Sequence, residues 1–211
     1  MNKNYQKSST RTFWITGVII IVVGLFIWVS SIPKPTPKII NNPQSLAGIQ
    51  TGDVPWIPEL DHLRERLNAI GLPALSAEGT VLHIHQHLDI FINGKPVAVP
   101  ASIGINSLAG FISSIHVHDN SGIIHVESPT VQTFTLGQFF DIWGVQFTAT
   151  SIGGYSNTAD KILKVFVNGT QYSGDPRKLA LDAHQEIVIT YGTNQELPNP
   201  IPSTYSFPPG Y

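Results

Sequence analysis

The sequence predicts a mainly β, α+β domain behind an N-terminal transmembrane helix, with antiparallel β-hairpins in a sheet or small sandwich and short helices. Three observations carry this. Residues 13–31, "FWITGVIIIVVGLFIWVSS", hold no charge and are about long enough to cross a bilayer. From Thr80 onward apolar and polar residues alternate with a period of two, as on a half-buried strand. The dipeptide Asn93-Gly94 and the stretch "DNSG" (119–122) then break that alternation where hairpin turns would fall.

Lys3, Lys7 and Arg11 precede the apolar run and no acidic residue precedes Asp53, while Trp14 and Trp28 sit near its ends. That pattern places 1–12 as a cytoplasmic N-tail, 13–31 as the anchor and the remainder outside the cytoplasm. Val29 and Ser31 would tolerate cleavage after Ser31, so release from the anchor stays open. Residues 32–58, "IPKPTPKIINNPQSLAGIQTGDVPWIP", are proline-dense, which resists helix and favours extended backbone, so they are read as a stalk. The folded domain is then expected over 59–193.

"ELDHLRERLNAIG" opens it as a helix. Leu60, Leu63, Leu67 and Ile70 recur at helical spacing, Pro58 can start it and Gly71 can end it, with His62 off the apolar stripe. Next, "VLHIHQHLDIFING" gives a two-faced strand. Leu82, Ile84, Leu88, Ile90 and Ile92 share one face, with Gln86 the exception; His83, His85, His87, Asp89 and Phe91 share the other. "KPVAVP" returns beside it. "SSIHVHDNSGIIHVES" forms a second hairpin; a loop of two or four residues puts His116, His118, His125 and Glu127 on one face, and a loop of three breaks that parity.

Thr135 and Gln138 form a capping-box pair ahead of a short apolar helix that ends near Gly144. "VQFTATSI", "KILKVFVNG" and "QEIVITY" read as further strands, the last as an edge, and this half is loosely similar to a β-grasp arrangement. Asn168-Gly-Thr170 matches a glycosylation sequon. The proline-rich tail, 194–211, is expected to be poorly ordered.

Composition excludes several classes. The chain has no cysteine and one methionine, so disulfides, thiolate sites and cysteine nucleophiles are absent, and a soft copper(I) site is disfavoured. Twelve Lys and Arg face fourteen Asp and Glu, with no basic stripe of the kind nucleic acid requires. No phosphate-binding glycine loop is present.

The candidate site residues are His83, His85, His87, His116, His118, His125 and Glu127; six of the eight histidines fall between positions 83 and 125. Strand residues two apart lie roughly 6.6 Å apart on one face and can converge on one ion, whereas residues four apart lie about 13 Å apart and cannot easily do so. His83 and His87 are therefore not expected to share an ion, and the second His-x-His pair, His116 and His118, becomes as important as the first. Asp89, Asp119 and Gln86 are candidate acceptors for the distal ring N–H groups. His184, in a turn before the last strand, is either a surface residue or a further ligand. Histidine with carboxylate suits copper or zinc, with iron and manganese ranked lower because they prefer more carboxylate.

"HVH" resembles the copper-ligand pair of copper/zinc superoxide dismutases, but that family's bridging histidine, zinc ligands and disulfide are not matched. The α-carbonic anhydrase and cupin patterns also fail on surrounding motifs and on ligand order. The chain is more similar to an uncharacterised group of bacterial and archaeal membrane-anchored or secreted proteins. The resemblance lies in "GLPALSAEGTVLHIHQHLDIFINGKPVAVPASIGI", "HVHDNSGIIHVESP", "FTLGQFFDIWGV" and "AHQEIVITYG", spanning roughly Leu67 to Gly192. It implies one continuous domain and carries no activity. The expected partners are a metal ion and, through the N-terminal helix, the lipid bilayer. Metal sequestration or delivery, a metalloenzyme with an open ligand position, and a metal-free adhesion or assembly module all remain open at this stage.

Overall fold

The computed structural model describes residues 36–211. The N-tail and the apolar run 13–31 lie outside the described residues, and among those described no helix is long and apolar enough to cross a membrane. In chain order the elements are α1 (Leu63–Ile70), β1 (Ala74–Leu75), β2 (Leu82–Ile92), β3 (Lys95–Val97), β4 (Ile105–Asn106), β5 (Phe111–Ser113), β6 (Ile115–His116), β7 (Ile123–Ser128), α2 (Leu136–Trp143), β8 (Ser151–Ile152), β9 (Tyr155–Ser156), β10 (Ile162–Val167), β11 (Thr170–Gln171) and β12 (Glu186–Gly192).

The main sheet runs β11-β10-β12-β2-β7-β6, with β3 also paired to β2. The long strand β2 shares one edge between two partners: β7 pairs with its first half and β3 with its second. Asn93 and Gly94 both have positive φ, 51° and 75°, the backbone that a two-residue hairpin turn demands. The other edge of β2 pairs with β12 in parallel, so the sheet is mixed and not built of hairpins alone. The reading of "QEIVITY" as an edge strand is thereby corrected: Glu186–Gly192 is central, buried along its whole length between β10 and β2. A near-continuous apolar run covered on both faces is the usual signature of such a parallel strand. "VQFTATSI" is not a continuous strand either: Val145 and Phe147 make isolated bridges, to Gln50 and Ile152, and only Ser151 and Ile152 form a strand, in a small separate hairpin with β9.

One sheet face carries Leu88, Ile90, Ile124, Val126, Ile187 and Ile189 into a core completed by α1 and α2. Helix α2 has its capping box as expected, Thr135 accepting from the Gln138 N–H and Gln138 accepting from the Thr135 N–H, and ends at Gly144. Every residue of α2 is buried. Its C-terminal carbonyls cannot reach water, and Arg66 of α1 satisfies them, donating from Nε to the Asp141 carbonyl (2.7 Å) and from Nη2 to that of Ile142 (3.1 Å). Arg66 also pairs with Glu59, whose carboxyl is raised by burial but lowered further by hydrogen bonds from Arg66 and His62, for a net depression. The helix opened by this sequence is shorter than expected: Asp61 and His62 form a turn, and α1 starts at Leu63.

The proline-dense segment is not a free stalk over its described part. Gln50 bridges to Val145, and Trp56, 3% exposed, meets the edge of Trp143 with ring centroids 6.0 Å apart. Proline sets the local backbone as extended, but it does not prevent Trp56 from filling the end of the core. The tail also differs from expectation. Tyr205 and Tyr211 lie against histidine rings of the outer sheet face, and Phe207 packs on His184 in the turn before β12.

Candidate metal centre

The outer face of β2, β7 and β6 collects the histidines through strand register. His85 lies directly opposite His125, His83 opposite Glu127, and His116 opposite His125 on the other side. Directly opposed residues of antiparallel strands project to the same face. The loop between β6 and β7 holds six residues, 117–122, rather than the two or four expected. The even count keeps His116 and His125 on one face, and His118 reaches that face from the loop, its Nε2 3.1 Å from that of His116. Gly122 closes that loop with a φ of 83°, and a Cβ there would meet the Leu88 carbonyl at 2.8 Å and His87 Nε2 at 3.0 Å.

Two His-x-His pairs flank β7. His83 Nε2 and His85 Nε2 lie 3.1 Å apart, as do His116 Nε2 and His118 Nε2. Two nitrogens bound to one tetrahedral ion at about 2.0–2.1 Å would stand about 3.3 Å apart, close to that separation. Each pair has one buried member, His85 or His116, and one that reaches solvent, His83 or His118. His116 donates its Nδ1–H to the Ser113 carbonyl at 3.0 Å, which leaves the Nε2 lone pair facing His118.

Between the pairs stand His125 and Glu127, both buried. Glu127 Oε1 is 3.1 Å from His125 Nδ1 and 3.2 Å from His83 Nε2, while Oε2 is 3.9 Å from His116 Nε2. Among the described residues no Lys or Arg pairs with this carboxylate. Burial, reinforced by Glu78, pushes the Glu127 carboxyl up to about 7. Burial and then the neighbouring imidazoles push His85 down to about 4 and His125 down to about 3; burial likewise holds His116 at about 4. At neutral pH these three rings carry free lone pairs.

The donor atoms sort into sets whose members all lie within 4.8 Å of one another: His83, His85, His125 and Glu127; and His116, His118, His125 and Glu127. His87 falls in neither. It joins a third set with Asp89 and Glu186, but both its ring nitrogens are engaged, Nδ1 at 2.8 Å from Glu186 Oε2 and Nε2–H donating to the Ser121 carbonyl at 2.9 Å. Burial lowers its pKa, yet the Glu186 carboxylate outweighs this and leaves it raised. Burial raises Glu186 too, against the lowering effect of the His87 hydrogen bond and charge.

His184 stays outside the donor sets; its Nε2 lies 3.0 Å from the Tyr211 carbonyl oxygen. Gln86 is not a partner to the ligands, because it points to the core face. Asp119 accepts the Ser121 N–H in its own loop, and Asn168 accepts the Glu186 N–H at 2.9 Å in a turn. Four neighbours of the histidine face were not anticipated. Glu78 lies 3.5 Å from His118, and Glu186 holds His87. Tyr205 stacks on His87 at 3.7 Å, and Tyr211 packs on His85 and His125. The one sequence signal for the last two is aromatic residues spaced through a tail otherwise rich in proline.

Buried histidine and glutamate groups are thus close enough to hold a metal ion. Comparison with protein-family models, with curated proteins and with solved structures gave no match.

Proposed function

We propose that this is a membrane-anchored, extracytoplasmic protein that binds a transition metal, copper or zinc, for sequestration or delivery, with His83, His85, His116, His118, His125 and Glu127 as ligands. One observation carries the reading: a buried carboxylate without a cationic side chain, ringed by imidazoles whose lone pairs are free. An ion there would compensate the charge that burial otherwise penalises. The depressed histidine pKa values favour ligands over a pH-sensing surface, since such rings do not protonate near neutrality. The uncharged run 13–31 after a basic N-tail supports the anchor and the orientation. A β-grasp-like order, with the first and last long strands parallel at the centre of the sheet and a helix between them in sequence, supports a rigid platform for the site.

A second reading, a metalloenzyme, is favoured by the solvent-facing His83 and His118, beside which a ligand position could stay open. The test is metal content. The full chain, extracted in detergent, is expected to carry near-stoichiometric or higher copper or zinc. The His85→Ala/His118→Ala double variant should lose it and His62→Ala should keep it. Equal metal in the double variant and the wild type would overturn the assignment.

A further inference from the structure

We infer that the site holds two metal ions bridged by the Glu127 carboxylate, one ion on each His-x-His pair. This rests on the metal-binding reading above and specifies its nuclearity.

The two halves of the cluster are nearly matched in geometry. His83 and His85 have ring centroids 4.8 Å apart, His116 and His118 4.7 Å apart. The His125 ring stands between them, edge-on to His85 at 4.6 Å and to His118 at 4.5 Å. Register imposes this arrangement. The pairs sit on β2 and at β6, with β7 between, so their backbones are separated by two strand spacings, roughly 9.5 Å. Donors around one ion can be at most about 4.2 Å apart, twice a metal–nitrogen bond. Six donors exceed the four that one tetrahedral ion takes, and they fall into two overlapping sets, each with all members within 4.8 Å of one another.

Glu127 suits a bridge because its oxygens face opposite ways, Oε1 toward His83 and Oε2 toward His116. Carboxylates that span two ions hold them about 3.5–4 Å apart. Each ion then takes two imidazoles and one Glu127 oxygen, with His125 in reach of either and solvent available at the exposed member of each pair. The bridge also uses both faces of a buried carboxylate that a single ion would leave half satisfied.

The full chain, stripped with chelator, is titrated with Cu(II) and followed by equilibrium dialysis and electron paramagnetic resonance. Two ions per chain are expected, with a signal integrating to clearly fewer than two spins because the bridged ions couple. His83→Ala and His118→Ala, both solvent-facing changes that spare the core, should each weaken one ion by at least about tenfold and leave the other. Glu127→Gln, isosteric and checked for folding by circular dichroism, should abolish the coupling. Saturation at one ion per chain, or two fully uncoupled spins in the wild type, overturns the bridged pair while leaving the metal-binding reading intact. No bound copper and no bound zinc overturn both.

Discussion

Gln86 lies between His85 and His87 but faces the opposite way, wholly buried on the core face of β2. Among the described residues neither its amide nitrogen nor its oxygen finds a hydrogen-bond partner. Across the sheet it is registered with Ile124, which is also fully buried. Leaving one buried polar group unsatisfied costs about 1–3 kcal/mol. Gln86→Met removes both polar atoms while keeping an unbranched chain that fits an irregular gap. The expected gain is about 1–3 kcal/mol in total, discounted because an internal water would recover part of the cost. For a domain of this size that raises Tm by about 3–10 °C. Gln86→Glu should move the other way, since it buries an uncompensated carboxylate. Urea unfolding of the metal-free protein reads the difference directly, and copper or zinc content should match the wild type in Gln86→Met. A Gln86→Met variant less stable than the wild type, or one that loses metal, would refute the assignment of the two faces of β2.

Arg66→Met leaves the terminal carbonyls of α2 and the Glu59 carboxylate without their donor; the expected cost is about 3–5 kcal/mol by chemical denaturation, and a loss below about 1 kcal/mol would contradict the capping role. Trp56→Ala should cost about 3–5 kcal/mol, whereas a near-neutral result would return the described part of the proline-dense segment, 36–58, to the status of a stalk. Zinc affinity should rise with pH through about 7, because the Glu127 carboxyl, raised by burial, gives up its proton there and frees both oxygens. Proton competition at the buried histidines enters only near pH 4, so a flat profile between pH 6 and 8 in calorimetric titration would exclude Glu127 as a ligand.

Local chemistry made several elements legible in the sequence. Period-two alternation placed β2 and its two faces, Asn93-Gly94 placed the β2–β3 turn, and Thr135 with Gln138 placed the start of α2. Each depends on interactions within a few residues, so the local string contains the information. The histidine spacing was legible in the same way. His83 and His87 were read as too far apart to share an ion, and their donors belong to different sets.

What only the tertiary structure decided was which segments meet. The parallel pairing of β12 with β2 brings Glu186 against His87 from ninety-nine residues away, and engages the third histidine of the triplet. Tail aromatics settle on the same face because ring stacking there does not depend on backbone pattern. Trp56 packs into the core although proline surrounds it. Composition and period determined that this chain has a histidine-bearing strand face. The β2–β7–β6 register, fixed by burial of the opposite face, decided that Glu127 and His125 stand between two pairs of imidazoles. Strand partners are chosen by the burial of whole faces, a long-range free energy that no short stretch of sequence contains.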